Sequence, residues 1–324
     1  MPKAASFGDK PFKTKRRPVV RSLVLCPLVF IFLSCVTLSP VDSVPEKPSA
    51  AAGPESLVPN WQPLPDSGGA LAWFAGRISR PGFEFRVLRA DLSSPALRIV
   101  AAAGGPSADR AAGTFSVKVS SFVRDNGLYA GINALPFDPV SGREGEPRVN
   151  EGIVVAAGVM ISPPHPEFDA VVFYADGSPA IVSQPEIVTV SGIETAAGGF
   201  YQILQNGECT ARASGGVKRH PRSAAGLSAD GRFLYLLVID GRRLRSVGAT
   251  EPETALVLRA LGAWQGINFD GGGSSAMALR FPGGKVRVVN TPIHGGIPGR
   301  ERAVAGCLGV SIQKTEENID EKNH

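Results

Sequence analysis

Apolar residues recur along this chain mostly in short blocks or in alternation with polar ones, the pattern of strands rather than of long helices. Residues 70–75, 83–88 and 97–101 form three such blocks, separated by Gly, Pro and Ser turns. Between residues 115 and 125 the period changes. Phe115, Val119, Phe122 and Val123 fall on one helical face and Asn126 and Gly127 supply a stop, which predicts a short helix. Strands are predicted again at 128–133, 153–161 and 170–174. Residues 232–240 carry a continuous apolar run that ends in Asp240, as expected of a strand covered on both faces. Thr250 and Glu253 have the spacing of a capping box, opening a helix that runs to Leu261 and stops at Gly262. Short strands at 265–270, 285–290 and 305–312 complete the pattern, and no internal repeat is visible. The 38 glycines and 27 prolines agree with many turns. The predicted fold class is α/β (α+β), with a large mixed, strand-rich sheet core and a few packed helices.

The N-terminus reads differently. Basic residues through Arg21 precede an apolar run over 22–33 that is too short for a comfortable membrane span. This is the layout of an export signal, predicted over 1–34. Ser34 and Cys35 then resemble a bacterial lipoprotein processing site, with the Cys35 thiol as the lipidation point. A plain cleaved signal or an uncleaved anchor is the competing reading. Residues 35–65 are rich in Pro, Ser, Ala and Glu and are expected to form a flexible tether. The folded domain is expected over 66–316, followed by a polar tail at 317–324. Exported, the protein would be lipid-anchored to the bacterial cell membrane and face the periplasm or the exterior.

That leader changes the meaning of the net charge of +5. Seven of the basic residues and one acid precede Cys35, so the remainder holds 27 basic against 28 acidic residues. No basic stripe with interleaved aromatics is present, so nucleic-acid binding is not expected. Cys209 and Cys307 remain for the folded part; they can pair or stay separate thiols. No Cys/His cluster with zinc spacing occurs.

The most distinctive chemistry lies at Asp270, Gly271, Gly272, Gly273, Ser274 and Ser275. An acid at a strand end is followed by three residues without Cβ, where a ligand can approach closely. Free N–H groups there can form an anion-binding nest, reinforced if Ser274 opens a helix.

Residues 268–275 closely resemble the signature of the phosphodiester glycosidase family. The resemblance extends in order through residues 115–137, through the segment with Pro221, Arg222 and Ser223, through 236–242 with Thr250 and Glu253, and through Asn290 and Arg302. One departure follows Asn133, where Ala134, Leu135 and Pro136 intervene before Phe137. The resemblance implies a hydrolase that cleaves the anomeric C–O bond of a sugar-1-phosphodiester, with a glycan or glycolipid phosphodiester as substrate.

Such a reaction passes through an oxocarbenium-like state that a carboxylate can stabilise, attack or supply with activated water. The phosphate leaving group is a weak base, so its charge must be held more than its oxygen protonated. Arg is shaped for that, because its planar fork binds two phosphate oxygens. Arg222 and the nest at 271–275 are therefore expected to clamp the phosphate. Asp270 and Asp240 are the leading base or nucleophile, Asn133 orients sugar or phosphate oxygens, and Thr250 and Glu253 border the substrate. On this reading Arg222→Ala cuts turnover without unfolding the protein.

Each residue also has a plainer reading: Arg222 as an ion-pair residue, Asp240 and Asn133 as turn residues, Thr250 and Glu253 as the cap alone. No cofactor is required, although Asp240 and Asp270 leave room for a divalent cation held through oxygen ligands. The competing functions are a metal-assisted phosphodiesterase that breaks P–O and an envelope lipoprotein that binds sugar phosphates without turnover.

Overall fold

A computed structural model describes residues 49–102, 113–211 and 218–313. The expected leader, Cys35, the first part of the tether and the tail at 317–324 lie outside the described residues. Among the described residues no helix is long and apolar enough to cross a membrane.

Twenty-two strands form four sheets, with two α-helices, α1 (Val119–Asp125) and α2 (Glu251–Leu261), among the described residues. The main sheet has nine strands. Its central run is Leu71–Ile78, Phe83–Asp91, Phe233–Ile239, Arg222–Leu227, Gln265–Asn268 and Gln202–Gln205. All of these pair antiparallel, and the parallel pairing lies at the edge, between Ser49–Ala51 and Leu71–Ile78. The fold is thus mixed α/β and mostly β.

The Phe233–Ile239 strand carries its apolar run because both of its faces are covered. Leu234, Leu236 and Val238 join one core cluster, shared with Ile132, Leu279 and Leu308 of a second sheet. Tyr235, Leu237 and Ile239 point the other way, into a cluster with Ala255, Val257 and Leu258 of α2. Burying a side chain of this size contributes about 1.5–3 kcal/mol, so neither face can be left in water. The α2 ends match expectation. Thr250 Oγ1 accepts from Glu253 N–H at 3.2 Å, Glu253 Oε2 accepts from Thr250 N–H at 2.8 Å, and Gly262 takes φ 108 at the stop.

Three local expectations change, and one left open is decided. Residues 49–65 do not behave as tether: Ser49–Ala51 and Gln62–Pro63 pair with the main sheet, Leu57 and Leu64 are buried, and Trp61 packs edge-on against Phe74 at 6.1 Å. Three apolar anchors suffice to dock a segment whose average composition is polar. Helix α1 begins at Val119, and Phe115 ends a strand with its side chain exposed, because Val117 pairs with Val304 and holds the chain extended. The predicted strand at 153–161 is a hairpin, Val154–Ala156 and Val159–Ser162, turned at Ala157 (φ 48) and Gly158 (φ 74). Cys209 is exposed in one sheet, Cys307 is buried in another, and both are free thiols.

Candidate active site

The site grows from the end of Gln265–Asn268, which is held between Arg222–Leu227 and Gln202–Gln205. Phe269 is fully buried, and its N–H donates to Ser223 O at 2.8 Å. The next residue, Asp270, leaves the sheet. Its N–H donates to Ala134 O at 2.7 Å and its carbonyl accepts from Asn133 Nδ2 at 2.6 Å. Asn133 Oδ1 in turn accepts from Ser223 Oγ at 2.7 Å and from Ala276 N–H at 3.1 Å. Asn133 is 1% exposed. It therefore fastens both ends of the 270–276 loop from inside, which corrects the expectation that it orients substrate oxygens.

The last two of the three glycines are needed because cationic side chains press on them, whereas a Cβ on Gly271 would meet Pro221 O at 2.8 Å. A Cβ on Gly272 (φ 63) would lie 3.0 Å from Arg242 Nη2. One on Gly273 would fall inside the Arg302 guanidinium, 2.9 Å from Cζ. Gly273→Ala is accordingly expected to push Arg302 out of place and to lower turnover by at least about tenfold, with little change in melting temperature, since a displacement near 1 Å at a reacting centre costs up to about 10²-fold. Unchanged kinetics in that variant would remove Arg302 from the site.

The backbone nest is smaller than expected. Gly272 N–H donates to Pro221 O at 2.8 Å and Ser274 N–H to Gly271 O at 3.2 Å. No helix follows, only a single 3-10 turn, Gly272–Ser274, and then the strand Met277–Phe281. Side chains supply the positive charge instead. Arg302 donates through Nη1 to Ser274 Oγ at 3.1 Å and through Nε to His294 Nδ1 at 3.1 Å. Arg242 Nη2 lies 3.5 Å from His220 Nδ1, and Arg242 itself has φ 58, a strained conformation for a residue with a side chain. Burial and the neighbouring arginines hold both histidines below their ordinary value.

Asp270 sits among these groups, half-buried. Burial pushes its carboxyl up to about 6, against the opposing pull of Ser274, Arg302 and the Gly271 N–H. Glu151 adds to the rise. A carboxyl with this value exchanges its proton near neutral pH, as base work at the reacting centre requires.

Asp240 is 1% exposed and pushed up by burial. Its Oδ1 accepts from Thr291 N–H at 2.7 Å and from Asn290 Nδ2 at 3.3 Å, and its Oδ2 pairs with Arg243 at 2.9 Å. Asn290 links it to the motif, donating to Ser275 O and accepting from Met277 N–H. Asp240 therefore supports the loop from behind and is not placed as a base. Among the described residues no cluster of three His, Cys, Asp or Glu is arranged to hold a metal ion.

Arg222 also departs from expectation. Its backbone borders Gly271, but its guanidinium is buried on the α2 side of the sheet. It donates to Ala249 O at 3.0 Å and Lys218 O at 3.2 Å and pairs with Glu251 at 3.2 Å. Along a strand successive side chains point to opposite faces, and here Ser223 turns toward Asn133 while Arg222 turns away. Thr250 and Glu253 are the cap of α2, and Glu253 also pairs with Arg219 at 2.5 Å. Their contacts lie within the fold.

The residues that sequence reasoning passed over are Arg242, His294 and Arg302. Arg242 and Arg302 lie in segments that carry the family resemblance; His294 had no local signal.

A model of the family described as phosphodiester glycosidase matches residues 126–311. The uncharacterized protein YomE, derived from prophage SPbeta in Bacillus subtilis strain 168, is 29% identical over 151 residues, which are 44% of this chain and 22% of that one. The chain thus spans about a fifth of that relative's length. Among solved structures, the catalytic domain of zebrafish N-acetylglucosamine-1-phosphodiester alpha-N-acetylglucosaminidase, auto-inhibited by its pro-peptide, aligns with TM-score 0.57 and 18% identity, covering 82% of this chain and 87% of that one. A hypothetical protein from Synechocystis aligns with TM-score 0.52 and 15% identity, covering 75% and 62%. Both likenesses are of fold. The match to the family model takes in more than half of the sequence, including Asn133, the glycine triplet and Arg302, and the chain belongs to the phosphodiester glycosidase family.

Proposed function

We propose that this protein hydrolyses the anomeric C–O bond of a sugar-1-phosphodiester, releasing the sugar and a phosphomonoester. The observation that carries the reading is the pressing of the Arg242 and Arg302 guanidiniums onto Gly272 and Gly273 beside Asp270. The two arginines hold the non-bridging phosphate oxygens and the charge that develops as the bond breaks. Ser274, fixed by Arg302, keeps the Asp270 carboxylate aimed. Asp270 in its ionised form serves the anomeric carbon, either by activating water or by attacking it directly. His294 and His220 set the planes of the two guanidiniums. The work belongs to the bacterial cell envelope, with the chain lipid-anchored through Cys35 after export.

The first substrate to try is the N-acetylglucosamine 1-phosphodiester that the zebrafish enzyme's name specifies. Hydrolysis in ¹⁸O-labelled water is expected to place the label in the released sugar. Label in the phosphate would mean P–O cleavage and would overturn the assignment. Binding without turnover at high protein concentration would reduce the chain to a sugar-phosphate receptor.

A further inference from the structure

Three loops flank the glycine triplet and carry a pattern that the chemistry above does not use. The first is the turn 242–247. The strands Phe233–Ile239 and Gln265–Asn268 both pair antiparallel with Arg222–Leu227, so they run the same way and finish at the same end of the main sheet. Asp270 follows one of them and the turn follows the other. Arg242 lies against Gly272, and reciprocal hydrogen bonds between Arg243 and Ser246, 3.0 and 3.1 Å, put Leu244 and Arg245 at the tip. The second loop, 293–300, reaches the triplet through His294 and Arg302 and is closed by His294 N–H donating to Arg300 O at 3.0 Å. The third, 139–143, lies against the second. A Cβ on Gly142 would stand 2.8 Å from His294 Nε2 and 3.6 Å from Arg300 Nη2.

The three loops hold five arginines, one histidine and no acid, although the chain from Cys35 onward has slightly more acids than bases. Arg243 is taken up by Asp240 and Glu84, but among the described residues Arg242, Arg245 and Arg300 form no ion pair. The loops also collect apolar side chains in water. Of the ten large apolar residues left exposed among the described residues, four lie here: Val140, Leu244, Val247 and Ile297. Leu244 is wholly exposed. Apolar residues scattered singly over a surface are ordinary, but these gather around one site, each within three residues of an arginine. The charge complements an anionic surface, and the apolar tips discriminate among such surfaces. They stand on separate loops, whereas a protein partner buries one contiguous apolar patch. A bilayer takes such tips one by one, because acyl chains flow around each of them. Arginine stems then lie along the boundary and their heads meet lipid phosphates.

We propose that this rim docks on the surface of a bilayer rich in anionic lipid, with Leu244 and Ile297 entering the headgroup boundary and Arg245 and Arg300 meeting the lipid phosphates. Docking brings the 270–275 loop to the headgroup layer, which makes the substrate class a glycolipid phosphodiester. That consequence rests on the hydrolase reading, whereas the docking stands without it.

Hydrogen–deuterium exchange on the full-length chain, with and without vesicles, tests the docking. The apolar run over 22–33 can hold the chain to any vesicle, so the difference between two kinds is what counts. Vesicles of phosphatidylglycerol are expected to slow exchange in 242–247 and 293–300 by at least about fivefold, the equivalent of one arginine held at an anionic surface. Vesicles of phosphatidylcholine are expected to leave both loops unchanged, and the exposed segment around Val188 is expected to stay unchanged with either. The double variant Leu244→Asp with Ile297→Asp is expected to lose the protection and keep its melting temperature, since both side chains are exposed. No slowing on phosphatidylglycerol overturns the proposal, as do equal slowing on both kinds of vesicle and protection that persists in the double variant. Protection that appears without vesicles and grows with protein concentration overturns it too, and assigns the rim to a second copy of the chain. Exchange is read without turnover, so the docking and the hydrolase reading can each fail while the other stands.

Discussion

Replacing Asp270 by Asn is expected to lower kcat/KM by about 10³-fold or more and, in the same protein, to raise stability at neutral pH. The first effect follows from removing a base or nucleophile at the reacting carbon, where general acid–base terms alone are worth about 10²–10⁴-fold. The second follows from the carboxyl's displaced titration. Its value is raised from 3.8 to about 6 by burial, so the folded state prefers the protonated form. Below pH 4 the group is protonated in both folded and unfolded chains and the preference is fully satisfied. As pH climbs through 6 the native carboxyl must ionise in a site that resists it. Above pH 7 the fold carries a penalty on the order of 3 kcal/mol. Asn carries no such charge. Chemical denaturation of both proteins is expected to show a gain for Asp270→Asn at pH 7.5 that shrinks toward zero by pH 4. A loss of stability that is the same at every pH would mean that Asp270 is an ordinary structural carboxylate. The same displacement sets the activity profile: kcat/KM rises through an apparent value near 6 if the ionised form reacts. A profile that falls through 6 would recast Asp270 as a proton donor.

The second large effect separates two arginines. Arg302→Ala is expected to lower kcat/KM by about 10²–10³-fold, the range for one preorganised donor to developing charge, while the protein melts normally. Lys at this position is not expected to rescue, because a point charge cannot reproduce the fork that spans His294 and Ser274. Arg222→Ala is expected to do the reverse. Removing the guanidinium of a residue that is 7% exposed leaves Glu251 and two carbonyls without their donor, which costs about 3 kcal/mol or more and loosens the start of α2. Melting curves alongside kinetics distinguish the two. A well-folded but inactive Arg222→Ala together with an active Arg302→Ala would return the phosphate clamp to Arg222.

Part of this site is legible in the chain and part of it is not. The acid, the glycine triplet and the two serines were visible as a site because absent Cβ atoms and an acid at a strand end are properties of residue type. The same holds for the doubly covered strand before Asp240 and for the Thr250–Glu253 cap, both of which depend on neighbours within a few positions. The arginine was misassigned for a definite reason. Arg222 is one residue from Ser223, and only the pairing of its strand with Gln265–Asn268 fixes which face each side chain takes. Asn133 was recognised as important, but its amide is taken up by Asp270 O, Ser223 Oγ and Ala276 N–H, partners 137, 90 and 143 residues away.

Local pattern, then, determined the strand-rich class, the strongest elements and the glycine-bearing acid, because those follow from side-chain volume, backbone freedom and periodicity. Tertiary structure alone decided which cations face that acid. Arg242 takes a left-handed turn after Asp240, Arg302 arrives from the last loop, and their guanidiniums meet at Gly272 and Gly273 only once the main sheet and the sheet containing Met277–Phe281 are packed. Convergence of charge in space depends on register and packing between segments far apart in the chain, and no short window of residues encodes it.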